Sequence, residues 1–168
     1  MESLLAEIQY HASQAPDREM FALWRAVFSL AHGDGELAEV EQNLVKQVMG
    51  VFSFSPEQCA VIEKDMHVPC DARHLFQEIE LSEYRSQFFR LARIVVWCDG
   101  VLHDDELAVI ESIQDDLGDE AAVYEADLRW MNRKPDLPLG EQAASPEEEM
   151  LKQVIYQMIA FYQQEGVG

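Results

Sequence analysis

The chain has 168 residues, and a hydrophobic content of 48% is enough to bury the core of one domain. Its formal net charge of −20 disfavours nucleic acid and anionic lipid heads as ligands, whereas cations or a basic partner would relieve the repulsion. The three cysteines are too few and too irregular for a disulfide framework, and the N-terminus has no basic region typical of a signal peptide. We therefore expect a cytoplasmic protein without direct membrane insertion.

Apolar residues recur every three or four positions through most of the chain, which predicts a series of helices. In chain order we expect a helix over 2–14, a second that Pro16-Asp17 opens and Gly33–Gly35 ends, and a third that carries Leu44 to Phe52. A fourth runs from Ser55 to about His67, and a short fifth covers 71–80. A long helix capped by Ser82 follows, then one that ends at Gly118 and one over 119–133. No stretch alternates with a period of two, so the predicted fold is all-α.

Local signals mark several helix ends. The run Ser55-Pro56-Glu57-Gln58 has the pattern of a capping box with proline at the first helical position. Gly118 is placed as a C-terminal cap. We assign 1–134 to the helical domain, 135–145 to a loop, and 146–168 to a C-terminal amphipathic helix that packs on the same domain.

A short acidic turn occurs twice, 65 residues apart. The two copies begin at Asp34-Gly35 and Asp99-Gly100, and both follow the pattern Asp-Gly-x-Leu-x-acid-x-Glu. The same shift pairs Trp24-Arg25 with Phe89-Arg90, Leu44-Val45 with Val109-Ile110, and Val48 with Ile113. The sequence therefore predicts two pseudo-equivalent helix–turn–helix hairpins, with the C-terminal helix added to them.

One interpretation of these turns is helix punctuation alone. Glycine accepts positive φ, aspartate bonds to its own backbone, and Glu41 and Glu106 stand where capping-box carboxylates belong. The other interpretation is a divalent-cation site. An EF-hand alignment would place Leu30 and Val95 at the first ligand position, so these turns are not calcium-binding EF-hand loops. Each turn alone offers two or three oxygens, and a site would need both turns or further groups.

The stretches Ala31-His32-Gly33-Asp34-Gly35-Glu36-Leu37 and Trp97-Cys98-Asp99-Gly100-Val101-Leu102 resemble the tellurite-resistance TerB-like family over roughly residues 18–130. The resemblance implies a compact all-helical bundle and an acidic site proposed to bind divalent metal. It also implies a role in stress-response or membrane-associated complexes.

These observations favour a non-enzymatic TerB-like module that responds to a divalent cation, Ca²⁺ or another, and acts through protein–protein interaction. The candidate metal ligands are Asp34, Glu36, Glu39, Glu41, Asp99, Asp104, Asp105 and Glu106. The alternative is an acidic scaffold or inhibitor that binds a basic partner without metal. It depends on the segment between Arg93 and Arg129, which has eleven acidic residues and no Lys or Arg. The candidate partner-binding residues are Asp115, Asp116, Asp119 and Glu120.

Two further sets of residues have structural interpretations. The spacing of Cys59, His67, Cys70 and His74 fits no familiar zinc pattern, so we expect ordinary thiols and imidazoles. The aromatic residues expected in the core are Trp24, Phe89, Trp97 and Trp130. Nothing in the sequence matches a phosphate loop, a dinucleotide fingerprint or a nucleophile elbow.

Overall fold

The computed structural model of the protein describes residues 16–30, 39–68, 70–97, 104–134, 153–154 and 157–158, except the side chains of Val40, Glu41, Leu44 and Val51. Within these ranges every regular element is a helix and there is no strand, which confirms the all-α prediction. The predicted first helix over 2–14 and the loop over 135–145 lie outside the described residues. No described helix has the length and apolar character needed to cross a membrane.

The helices follow the predicted order. The α-helices are α1 (Arg18–Leu30), α2 (Glu39–Val51), α3 (Pro56–His67), α4 (Ala72–Gln77), α5 (Ser82–Val96), α6 (Asp104–Leu117) and α7 (Glu125–Arg129). A 3₁₀ helix over Gly118–Tyr124 separates α6 from α7, and a second over Trp130–Asn132 follows α7.

The capping box at the start of α3 is confirmed. The backbone N–H of Gln58 donates to Ser55 Oγ at 3.2 Å, and the N–H of Ser55 donates to Gln58 Oε1 at 3.0 Å. At the start of α1 the N–H of Met20 donates to the carboxylate of Asp17 at 2.8 Å. Both helices therefore begin where short-range sequence signals place them.

The predicted cap by Ser82 is wrong. Ser82 is the first residue of α5, and the capping position belongs to Leu81, whose side chain makes no capping bond. A carboxylate from α1 acts at this turn instead, because Glu19 accepts the backbone N–H groups of Glu80 at 2.7 Å and Leu81 at 2.9 Å. The partner is some sixty residues away in sequence, so no local pattern could indicate it.

The single helix predicted over 119–133 is also wrong, because this segment is broken into 3₁₀, α and 3₁₀ turns. Its only fully buried side chains in the described structure are Tyr124 and Met131. Most helix stability in proteins comes from packing an apolar face against the core. Two buried side chains give this segment too little packing to stabilise a continuous α-helix. The segment begins at Gly118, whose φ of 57° ends α6 as expected for a C-terminal cap.

Helix α1 lies at the centre of the core. It packs against α3, α4 and α5, and Leu23, Trp24, Ala26 and Val27 are almost completely buried. The predicted core positions of Trp24 and Phe89 are confirmed, and Trp97 is half-buried. Trp130 was expected in the core, but its side chain is 47% exposed.

The repeat seen in the sequence is present in the helices. A shift of 65 residues takes Glu39, the first residue of α2, onto Asp104, the first residue of α6. The pairs Trp24 and Phe89, Val45 and Ile110, and Val48 and Ile113 are all buried at 2% exposure or less. The two halves therefore place equivalent side chains in one common core.

The C-terminal stretch contacts α5 at the residues the structure describes. Gln87, a fully buried polar side chain of α5, donates to the backbone carbonyl of Gln157 at 3.2 Å and accepts from its side-chain amide at 3.1 Å. Val154 and Met158 are buried beside this contact. The amide pair satisfies the polar groups of Gln87, which would otherwise be costly to bury.

The positive φ of Gly118 gives a prediction about stability. Gly118→Ala should lower the free energy of unfolding by about 1 kcal/mol, since a side chain disfavours the left-handed region while no neighbouring atom obstructs a Cβ here. The matched control is Gly50→Ala in α2, where a Cβ also meets open space and φ is not positive. That change should raise stability by about 0.5–1 kcal/mol. Urea denaturation measures both, and equal effects of the same sign would contradict the role of φ.

Candidate functional site

The acidic turns lie only partly within the described residues. Asp34, Glu36 and Asp99 are outside them, as is the side chain of Glu41. The described members are Glu39, Asp104, Asp105 and Glu106, and all of them except the half-buried Glu106 are exposed. These carboxylates stand in the first turns of α2 and α6, where they stabilise the positive ends of the helices.

The described carboxylates do not make a metal centre by themselves. Within the described ranges no group of three or more His, Cys, Asp or Glu side chains is placed to hold a metal ion. Calcium needs six to eight oxygen ligands, so Glu39 and residues 104–106 would need groups from the turns outside these ranges. The zinc spacing rejected from the sequence has no support here either, because the thiol of Cys70 is engaged elsewhere.

Two of the four predicted partner-binding residues are used inside the molecule. Asp116 forms a two-point ion pair with Arg73, in which Arg73 Nη2 donates to Asp116 Oδ1 at 2.6 Å and Arg73 Nε donates to Oδ2. This hydrogen-bonded arginine lowers the pKa of the Asp116 carboxyl. Glu120 accepts from Arg85 at 3.1 Å. Asp115 and Asp119 are exposed and form no ion pair with any described residue.

Five exposed carboxylates on α6 and directly after it are here called the acidic face. It consists of Asp104, Asp105, Glu111, Asp115 and Asp119. Intervals of seven and four residues place Asp104, Glu111 and Asp115 on one side of α6, while Ile110 and Ile113 are buried on the other. None of the five has an ion-pair partner in the described part of the chain.

Arginine pairs that join different helices were not anticipated from the sequence. Arg25 and Arg90 occupy equivalent places in the repeat, directly after Trp24 and Phe89. Arg25 in α1 pairs with Asp65 in α3, and Arg90 in α5 pairs with Asp127 in α7 at 3.0 Å. The repeated arginine was a visible signal, but its partners lie about forty residues away.

The most enclosed of these pairs includes a cysteine. Arg25 Nε donates to Asp65 Oδ2 at 2.7 Å and Nη2 donates to Oδ1 at 3.1 Å, while the Cys70 thiol donates to Oδ1 at 2.9 Å. The hydrogen bond that Arg25 donates to Asp65 raises the pKa of Arg25. Burial, followed by the hydrogen bond to Asp65, raises the pKa of Cys70. The thiol is therefore protonated at neutral pH and serves as a donor, not as a nucleophile.

Two open depressions lie on the described surface. One of about 350 Å³ is lined by Asp17, Arg18, Glu19, Glu78 and Glu80. Another of about 500 Å³ lies between α6 and α7 and is lined by Gln114, Ala121, Ala122, Glu125, Leu128 and Arg129. Neither set of lining residues brings together a nucleophile, a base and an oxyanion donor, which an acyl-transfer site would require.

No protein-family model matches the chain, and comparison with curated proteins and with solved structures finds no significant match. The class that the fold and its surface define is an acidic, all-α helical module.

The enclosure of the Arg25 pair gives a prediction. Asp65→Ala should lower the free energy of unfolding by about 2–3 kcal/mol, because Arg25 would remain largely buried without its partner. Asp127→Ala breaks the equivalent pair, whose arginine is more exposed, and should cost only about 0.2–1 kcal/mol. Chemical denaturation of the two variants makes the comparison. Equal losses of stability in the two variants would mean that the greater burial of Arg25 does not make its ion pair more important than that of Arg90.

Proposed function

We propose that the protein is a non-enzymatic, TerB-like interaction module of the cytoplasm that binds a basic partner protein through the acidic face. The observation that carries the proposal is the set of five exposed carboxylates on and after α6, none of which pairs with a described cation. A surface of one sign attracts a partner of the other sign and speeds their encounter.

The support for a binding surface comes from how rigidly α6 and the following turn are held. The buried side of α6 is fixed in the core by Ile110 and Ile113. Its C-terminal end is held to α4 through Arg73 and Asp116, and the 3₁₀ helix is held to α5 through Arg85 and Glu120. A surface that needs little ordering loses less entropy when a partner docks.

A second candidate is a response to divalent cations in a stress context like that of tellurite resistance. The repeat favours this candidate, because the two acidic turns precede α2 and α6. These helices begin at equivalent residues and bury equivalent side chains. Glu39 and Asp104 are equivalent, exposed and without a described partner. In this candidate the principal ligands are Asp34, Glu41, Asp99 and Glu106, and the carboxylates that assist them are Glu36, Glu39, Asp104 and Asp105.

Binding to the acidic face predicts a local effect of charge reversal. Asp115→Lys combined with Asp119→Lys should weaken binding of a lysine-rich decapeptide about tenfold at low salt, since opposite charges are replaced by like charges. Fluorescence anisotropy with labelled peptide, repeated over a range of salt concentrations, measures this.

The matched control for that experiment is Glu63→Lys combined with Glu78→Lys, which makes the same charge change at exposed positions of α3 and at the end of α4. The control should retain most of the affinity. Equal weakening by both pairs would show that net charge alone is responsible for binding. Binding that is insensitive to salt would show that another surface is responsible.

The cation candidate predicts heat and stabilisation on titration. Calcium, magnesium, manganese and zinc chlorides are added separately to the full chain in a calorimeter. A specific ion at about 100 times its Kd should raise stability by about 2.7 kcal/mol. Asp34→Asn combined with Asp99→Asn should abolish the effect, while Glu63→Gln combined with Glu78→Gln should not. Absence of heat and of any shift in Tm with all four ions would remove this candidate and leave the acidic face untouched.

A further inference from the structure

Trp130 is exposed on a segment that is otherwise well anchored. It is the only aromatic among the large apolar side chains that the described ranges leave exposed. The next residue, Met131, is buried, and its carbonyl accepts the indole N–H of Trp97 at 3.0 Å. The backbone is thus held directly after Trp130, and the exposure of its ring is a defined feature of the fold.

Two arginines lie against the Trp130 ring. The Cζ atom of Arg133 is 4.7 Å from the ring centroid, and that of Arg93 is 5.6 Å away. Arg93 Nε also donates to the backbone carbonyl of Arg133 at 2.7 Å, which joins α5 to the end of the second 3₁₀ helix. A guanidinium stacked on an aromatic ring keeps its edge donors available for bidentate bonds to an oxyanion.

The charge around this ring is opposite to that of the molecule as a whole. Arg129, Arg133 and Lys134 stand within six residues of one another in a chain of net charge −20. Arg133 and Lys134 are exposed and have no carboxylate partner among the described residues. Arg129 pairs with Glu125 at 3.2 Å, but both side chains are about 70% exposed, and such a pair exchanges easily. We call Arg93, Arg129, Trp130, Arg133 and Lys134 the Trp130 patch.

We propose that the Trp130 patch docks an acidic peptide segment of a partner protein. Arg133 and Lys134 bind its carboxylates, and the exposed ring of Trp130 contacts the apolar side chain between them. Trp and Arg are the residues most enriched among interface hot spots, and here they are held together before binding. The patch is independent of the acidic face and gives the module a second surface of opposite sign.

Charge decides among the possible occupants. A nucleic acid carries about one negative charge per 1.7 Å of duplex, and the rest of this molecule repels such a polyanion over its whole length. A second copy of the chain brings another net charge of −20. A short segment with a few carboxylates has only local contacts and complements the patch without that long-range repulsion.

The test uses the full chain and a fluorescein-labelled peptide of sequence Glu-Asp-Leu-Glu-Asp, followed by anisotropy. Arg133→Glu and Trp130→Ala should each weaken binding about tenfold, and Trp130→Phe should restore part of the loss. The control is Arg18→Glu, an equal change of charge at an exposed arginine of α1, which should leave the affinity nearly unchanged. Arg133→Gln, which removes the charge but leaves a polar side chain, serves as a second variant if Trp130→Ala does not fold.

Four results would overturn the proposal. They are no binding by the wild-type chain, equal weakening by Arg18→Glu, tighter binding of a single-stranded RNA of the same charge, and self-association in sedimentation that Arg133→Glu abolishes. The last two would assign the patch to nucleic acid or to a second copy. Asp115→Lys combined with Asp119→Lys should not weaken peptide binding, and this separates the patch from the function proposed for the acidic face.

Discussion

A net charge of −20 is the constraint under which this chain folds, because the compact state brings carboxylates together and repulsion opposes it. The structure places its few cations where they oppose that repulsion most directly. Arg25, Arg73, Arg85 and Arg90 each pair with a carboxylate on a later element. These pairs join α1 to α3, α4 to α6, and α5 to both the first 3₁₀ helix and α7. Charge neutralisation therefore occurs where the helices pack against one another.

The same arrangement explains why two surfaces stand out. Once Asp116 and Glu120 are taken by arginines, Asp104, Asp105, Glu111, Asp115 and Asp119 remain without ion-pair partners among the described residues, and they form the acidic face. Arg133, which has no carboxylate partner among the described residues, lies against the exposed indole of Trp130, and Lys134 follows it in the chain. The core is formed by α1, α5 and the buried side of α6, and neither surface is part of it. Binding is the function that we propose for both surfaces.

Short-range sequence signals predicted the helices and the core better than they predicted which charged side chains are paired at the surface. The capping box at Ser55, the end of α6 at Gly118 and the repeat that pairs Trp24 with Phe89 were all visible in the sequence, since each depends on neighbouring residues or on helical spacing. The cap assigned to Ser82 failed because Glu19, distant in sequence, holds that turn. The candidate metal residues of the turns are only partly described, and their role stays a prediction.

By itself the sequence determined the all-α class, the order of the helices, the duplicated unit and the strong negative charge, because these follow from periodicity, capping and composition. Only the tertiary structure decided which carboxylates are paired, that the Cys70 thiol donates to Asp65, and that the exposed Trp130 ring is contacted by two arginines. The ion pairs between helices join residues 35 to 43 positions apart, and Arg93 lies 37 positions before Trp130. Such contacts are set by how helices pack, and helical spacing alone does not encode them.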